Sequence, residues 1–191
     1  MTEFRTHTIE SAPDASRDAL RGVSERMGFV PNLYATFAES PALLEGYLAL
    51  AGIFDRSTSF SATERQVILQ TASSENECHY CMAAHTAIAG RQRVPLEIVE
   101  ALRRGEVLPD ARLQALSEFA REVVQQRGRV PEAEIDAFLA AGFTRAQVLE
   151  VVLGIGLKTL SNYTNHMADT PLDAAFGRHA WVPSPGPAGA P

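Results

Sequence analysis

Apolar residues recur every three or four positions along most of this chain. The stretch from Ser40 to Phe54 shows the spacing clearly, with apolar side chains at Leu43, Leu44, Tyr47, Leu48, Ala51 and Phe54. This is the period of an amphipathic helix, and Ser40 followed by Pro41 is a typical helix start. No stretch alternates between apolar and polar residues with a period of two, so strands are not expected. The pattern therefore predicts an all-α fold.

Start and stop signals predict further helices around residues 13–27, 32–38, 95–105, 110–128 and 131–142. The chain has 191 residues, 46% of them hydrophobic, which is enough for a sizeable core. We therefore assign residues 1–180 to a single all-helical domain. Residues 182–191 are rich in Pro, Gly and Ala, and we expect them to form a flexible tail.

Two windows, residues 63–85 and 144–166, resemble each other. Both open with Thr-x-x-Gln-Val and both end in a histidine nineteen residues after the glutamine, with a constant offset of 81. Each opening resembles a capping box. The pattern predicts a duplicated helical unit that keeps its cysteines only in the first copy; two helices that share a cap by chance are the alternative. Gly154 and Gly156 in the second window predict a close helix approach, because glycine is costly inside a helix.

Charge and cysteine usage narrow the functional classes. The net charge of −6 argues against a nucleic-acid-binding surface, which needs a basic stripe. No secretory signal or bilayer-long apolar run is visible, so we expect a cytoplasmic protein without a membrane partner. In a reducing compartment, a close pair of cysteines is more often catalytic, redox-active or metal-binding than a structural staple.

Both cysteines lie in the segment SSENECHYCMAAH, residues 73–85. Cys78, Cys81 and His85 are three and four residues apart, which places them on one face of a helix. Asn76 is a candidate N-cap, and a helix that begins there would put the thiols where backbone N–H groups and the helix dipole stabilise a thiolate. His85 could then take or relay the thiol proton.

The residues alone leave three interpretations of this cluster open. It is a redox dithiol with a histidine base, a zinc site that uses Cys78, Cys81, His85 and His79, or a buried structural cluster. Zinc sites usually draw ligand pairs from two separated segments, and His79 would point about 100° away from Cys78 on a helix. The redox interpretation is favoured, with no metal ligands and no cofactor assigned.

The motif ENECHYCMAAH resembles the Cys-x-x-Cys-x-x-x-His signature of the alkylhydroperoxidase D-like, carboxymuconolactone decarboxylase superfamily, in particular its peroxidase-related members. The likeness extends through MGFVPNLYATFAESPALLEGY and on to LKTLSNYTNHMADTPLD. The resemblance implies an all-helical fold, often internally duplicated, that assembles as a homo-oligomer.

By the same resemblance, Cys81 would be the peroxidatic cysteine, Cys78 its disulfide partner and His85 part of the proton relay. Family members carry a glutamate twelve residues before the first cysteine, where this chain has Gln66. Glu75 or Glu64 could supply the missing carboxylate. His166 has two interpretations, a polar site residue or a hydrogen-bonded core histidine, and the second is favoured.

The predicted function is that of a thiol-dependent peroxidase that reduces hydroperoxides, with an external dithiol or a thioredoxin-like protein as its reductant. One alternative is a decarboxylase-like lyase on the same scaffold, whose activity would survive removal of both cysteines. The other is an oligomeric redox sensor whose thiols are oxidised without turnover.

Overall fold

The computed structural model describes residues 4–183, and within that range the chain forms α-helices, one closing 3₁₀ segment and no strand. The predicted all-α class is therefore confirmed. Residues 184–191, which make up most of the predicted tail, lie outside the described range. The helices are α1 (Asp14–Met27), α2 (Asn32–Phe37), α3 (Pro41–Ser57), α4 (Ala62–Glu75), α5 (His79–Arg91), α6 (Leu96–Arg104), α7 (Ala111–Gln125), α8 (Glu132–Ala140) and α9 (Arg145–Ala168), followed by the 3₁₀ segment Ala174–His179.

Helix α4 forms the centre of the domain and packs against α5, α7 and α9. Nine of its 14 residues are buried, and they point to every side of the helix. A helix that is covered all round belongs to a core. Polar residues on it, such as Gln66, are therefore held inside the domain.

The turn between α4 and α5 differs from the sequence prediction. Asn76 does not begin the cysteine helix; it is the C-cap of α4. The amide of Glu77 donates to the carbonyl of Ser74 at 2.9 Å, and the amide of Cys78 donates to that of Ser73 at 2.8 Å. These two bonds define a Schellman motif, with Glu77 in the left-handed region at φ 50°. Helix α5 therefore begins later than expected, with Cys78 itself as the N-cap residue.

The two similar windows adopt different structures. Residues 144–166 lie in the single helix α9, whereas residues 63–85 form two helices joined by the turn at Asn76. The predicted capping box of Thr144 and Gln147 is present. In the first window the box is formed by Ser61 and Glu64, so the caps are related by an offset of 83 instead of 81.

The close helix approach predicted for both glycines of α9 applies only to Gly154. A Cβ at Gly154 would stand 2.8 Å from the ring of Phe54 and 2.9 Å from Ile68, whereas one at Gly156 would meet no atom within 4 Å.

We expect Gly154→Ala to lower the free energy of unfolding by about 1–3 kcal/mol through overpacking. Gly156→Ala should raise it by up to about 1 kcal/mol through helix propensity. Urea unfolding of both variants tests this, and equal effects would contradict it.

No helix within residues 4–183 is by itself both long and apolar enough to cross a membrane. Helices α8 and α9 reach the required length and composition only when they are taken together, across a bend of 112°.

Candidate functional site

The two thiols meet where the first turn of α5 faces one side of α9. Cys78 and Cys81 are each 1% exposed, and both are free thiols. The amide nitrogen Nδ2 of Asn165 lies 3.6 Å from Sγ of Cys78 and 3.3 Å from Sγ of Cys81. The hydroxyl of Ser161 lies 3.7 Å from Sγ of Cys81. Polar side chains of α9 therefore line the sulfur pair, and this contact joins the two similar windows in space.

Lys158 lies one turn before Ser161 on the same face of α9, which carries positions 158, 161 and 165. Its side chain is 1% exposed, and its ammonium makes no hydrogen bond within the described part of the chain. Lys158 is also the only lysine among the 17 lysine and arginine residues of the sequence. A buried cation without a partner is costly unless an anion lies close by. Our sequence reasoning did not select this residue.

Cys81 is the sulfur that this environment ionises. Burial opposes its ionisation, but the thiol of Cys78, the charge of Lys158 and the hydroxyl of Ser161 together hold the pKa of Cys81 well below its ordinary range. The opposite holds for Cys78: the hydrogen bond to Cys81, burial and the adjoining negative charge raise the pKa of its thiol. The first-turn position of Cys81 adds the helix dipole in the same direction. When the pair loses one of its two protons, Cys78 is therefore the thiol that keeps the other.

His85 lies one turn beyond Cys81 and is held by an amide chain. Its Nδ1 is 3.1 Å from Oε1 of Gln66, and Nε2 of Gln66 donates in turn to Oε1 of Gln92 at 3.0 Å. Because Gln66 presents an oxygen, Nδ1 carries the ring proton and Nε2 is the free, accepting nitrogen. Gln66, which the sequence resemblance places where a glutamate is expected, thus orients the ring but brings no charge.

The imidazole of His85 is neutral at pH 7. Burial and the positive charge of Lys158 both lower its pKa well below the ordinary value. A carboxylate at position 66 would counter these effects, whereas the amide of Gln66 does not. His85 is therefore equipped to accept a proton at Nε2 and not to donate one.

Three residues considered from the sequence do not join the cluster. Glu75 pairs with Arg121 at 2.8 Å on the side of α4 that faces α7. Glu64 is engaged in the capping box and in an ion pair with Arg112. His166 is exposed, so the interpretation as a core histidine is wrong. Neither glutamate therefore supplies a carboxylate to His85.

His79 points away from the thiols, as its position in the helix predicts. Its Nδ1 contacts the carbonyl of Trp181 at 2.9 Å, and Nε1 of Trp181 donates to the carbonyl of Arg103 at 2.7 Å. The closing segment therefore packs on the outer side of α5. Among residues 4–183, no group of three His, Cys, Asp or Glu side chains has the arrangement of a metal site, so the zinc hypothesis has no ligand set there.

A cavity of about 820 Å³ leads to one of the two sulfurs. Cys81, His85, Gln66 and Lys158 line it, and within the described range Cys78 is not among its lining residues. Most of the remaining wall is apolar or aromatic, formed by Leu33, Tyr34, Tyr47, Leu48, Phe54, Leu69 and Ile88. Burial raises the pKa of the tyrosine phenols of this wall, so they are neutral. The wall also carries charged side chains, among them Arg26, Asp55 and Arg65. The cavity therefore offers an organic molecule a largely apolar surface with one thiol.

This all-helical arrangement is the alkylhydroperoxidase D-like fold, as the sequence resemblance predicted. The chain is similar to a structure described as an alkylhydroperoxidase AhpD core, an uncharacterised peroxidase-related protein from Ralstonia eutropha JMP134. The TM-score is 0.82 and the identity 24%, over 95% of this chain and 97% of the other. A peroxidase-related protein from Silicibacter sp. TM1040 matches with a TM-score of 0.78 and 22% identity over 92% of each chain.

A third similar structure is described as an enzyme with a different activity. The debrominase Bmp8, in complex with 2,3,4-tribromopyrrole, matches with a TM-score of 0.78 and 19% identity over 94% of this chain and 96% of the other. The sequence matches no protein-family model, and a search of curated proteins finds no relative. These similarities establish the fold and not the reaction.

Proposed function

We propose that this chain is a thiol-dependent peroxidase that reduces organic hydroperoxides through Cys81 and Cys78. The observation that supports it most is the difference between the two sulfurs. Cys81 lines the cavity and its pKa is lowered, whereas Cys78 lies behind it and its pKa is raised. A peroxidase of this kind needs one accessible thiolate and one protected thiol close to it.

In the first step, the Cys81 thiolate attacks the distal oxygen of the hydroperoxide. The S–O bond forms and the O–O bond breaks, so that Cys81 becomes a sulfenic acid and an alkoxide leaves. The alkoxide must take a proton. Neutral His85 presents a lone pair and cannot give one, whereas Lys158 is a buried cation on the cavity wall. Lys158 is therefore suited to donate that proton, and it regains one from solvent, so that it is again a cation once the disulfide has formed.

In the second step, the sulfur of Cys78 attacks the sulfenic acid of Cys81 and displaces its hydroxyl as water. The thiol of Cys78 loses its proton in this step, and Nε2 of His85 is available to accept that proton and pass it to the departing hydroxyl, which completes the water. The product is the Cys78–Cys81 disulfide, which an external dithiol or a thioredoxin-like reductant returns to the thiol form.

We expect one equivalent of cumene hydroperoxide to remove both thiols from the reduced, metal-free protein. Dithiothreitol should then restore them and sustain turnover, because a two-electron oxidation yields one disulfide. Thiol titration and a peroxide-consumption assay measure the two parts. Thiols that survive the peroxide would contradict the proposal, while thiol loss without turnover would favour the redox sensor. Heat-unfolded protein at the same thiol concentration is the control for unassisted oxidation.

Reductive dehalogenation is a second candidate, supported by the apolar cavity over Cys81. The Cys81 thiolate would remove the halogen from a halogenated aromatic ring, which takes the proton of Cys78. The products are the reduced ring, a halide ion and the same disulfide, so electrons and atoms balance. Bromide release from a bromopyrrole without peroxide would distinguish this reaction from the first.

The homo-oligomer implied by the resemblance and a cytoplasmic location remain proposals. Four exposed apolar residues on α9 support the first: Leu149, Val152, Tyr163 and Met167. Their spacing places them within about 60° of one another around the helix, so they form a single apolar face. Free thiols in both cysteines are compatible with a reducing compartment.

A further inference from the structure

The surroundings of Lys158 favour the reduced state of the cysteine pair over the oxidised state. Its ammonium is buried and lacks a hydrogen-bond partner among the described residues. Asn165, two turns further along the same face of α9, directs its amide N–H groups at both sulfurs. A cation and an amide donor on one face together form a binding environment for a negative sulfur.

Oxidation of the pair removes that negative sulfur. In the reduced form, the thiolate of Cys81 balances the charge of Lys158. A Cys78–Cys81 disulfide is neutral and accepts hydrogen bonds weakly, so Lys158 would then be buried without a counterion. Burial of an unpaired charge is strongly unfavourable. The free energy of the oxidised form is therefore raised relative to that of the reduced form.

We infer that Lys158 stabilises the reduced, singly ionised cysteine pair and thereby makes its disulfide strongly oxidising. The choice of residue agrees with this role. The chain uses arginine at each of its other basic positions, and lysine occurs only here. A lysine ammonium is a compact point charge that fits beside a sulfur, whereas a guanidinium is a broad planar fork. The inference rests on the redox-active pair of the proposed function, but not on the peroxide substrate.

The equilibrium constant for the reaction with glutathione measures how oxidising the disulfide is. The Cys81 thiolate and the Cys78 thiol react with one glutathione disulfide and one proton, giving the protein disulfide and two glutathione molecules. Two electrons pass from the protein to glutathione. A stabilised reduced form lowers the equilibrium constant for this reaction, and each tenfold decrease corresponds to a reduction potential about 30 mV more positive.

The wild-type protein alone provides the first test. Because the disulfide is favoured less in the folded chain than in the unfolded one, the oxidised protein should unfold at a lower urea concentration than the reduced protein. Most disulfides have the opposite effect. An oxidised form that is more resistant to urea than the reduced form would overturn the inference.

The second test replaces Lys158 by Met, which keeps the length of the side chain and removes its charge. We expect the equilibrium constant with glutathione to rise at least tenfold, and the thiolate absorbance near neutral pH to fall. Arg91→Gln removes one positive charge from the exposed last turn of α5, and it should leave both values as in the wild type. Lys158→Gln is the second variant, in case the Met variant does not fold.

A Lys158 variant that folds and keeps the wild-type equilibrium constant within twofold would refute the role of Lys158. If neither glutathione disulfide nor hydroperoxide yields the disulfide, in the wild type or in the Lys158 variants, the redox pair itself is refuted. If Lys158→Met raises the equilibrium constant as expected but the wild-type protein consumes no peroxide, only the peroxidase function is refuted. The outcomes therefore separate this inference from the proposed function.

Discussion

Replacement of Cys81 by serine is expected to abolish hydroperoxide reduction, with kcat/KM lower by roughly 10³-fold or more. A serine hydroxyl does not ionise near neutral pH and is a far weaker nucleophile than a thiolate. Since Cys81 lines the cavity and Cys78 does not, Cys78 cannot take over the first step. Stopped-flow measurement of cumene hydroperoxide consumption by the reduced variant tests this expectation.

The matched control is Cys78→Ser, which removes the same kind of atom from the other position. This variant should consume one equivalent of hydroperoxide and then stop, since the sulfenic acid of Cys81 has no partner thiol. Dimedone should trap that sulfenic acid, and mass spectrometry should locate it at Cys81. Full activity in Cys81→Ser would show that the two roles, or the reaction itself, were assigned wrongly. Activity that survives loss of both cysteines would favour the lyase.

The fold class and the cysteine cluster could be predicted because both depend on local spacing. Apolar residues at intervals of three and four define helices without knowledge of their partners. The same spacing brings Cys81 and His85 to one face of α5, and both line the cavity. The cap at Ser40 is present as predicted, because a single side chain decides it.

The start of α5 could not be predicted because the signal that ends the preceding helix, α4, is unusual. A left-handed residue after a helix is normally glycine, and here it is Glu77. Without that glycine, Asn76 resembles the start of the next helix and not the end of α4. The correction has a chemical consequence: Cys78 occupies the N-cap and Cys81 the third helical position, so Cys81 lies within the first turn, where the dipole acts.

Lys158 was missed because its meaning depends on tertiary contacts. Within α9 it stands among apolar residues, and a helical lysine is ordinarily exposed. The one signal in the sequence was its uniqueness among the basic residues, which does not tell what it faces. Contacts between helices also decide which of Gln66, Glu64 and Glu75 reaches His85. All three are on α4, and only Gln66 lies on the side that reaches His85.

The substitution Gln66→Glu is expected to raise the pKa of His85. A carboxylate at 3.1 Å from Nδ1 would stabilise the imidazolium and oppose the two effects that now lower the pKa, burial and the charge of Lys158. The wild-type ring remains an acceptor as the pH falls below 6.5. In the variant, protonation would begin at a higher pH, so the acidic limb of the kcat/KM profile should move upward. NMR titration of the ring protons measures the pKa directly.

Gln92→Glu is the control, because it places the same charge one hydrogen bond further from His85, beyond Gln66. Gln92 contacts Gln66 and not His85, and it is exposed, so solvent screens a carboxylate there. We expect its effect on the pKa of His85 to be a small fraction of that of Gln66→Glu. Equal shifts in the two variants would mean that general charge, and not the Gln66 contact, sets the pKa. A faster Gln66→Glu enzyme with a raised His85 pKa would instead show that the reaction uses the imidazolium, and His85 would then be the proton donor.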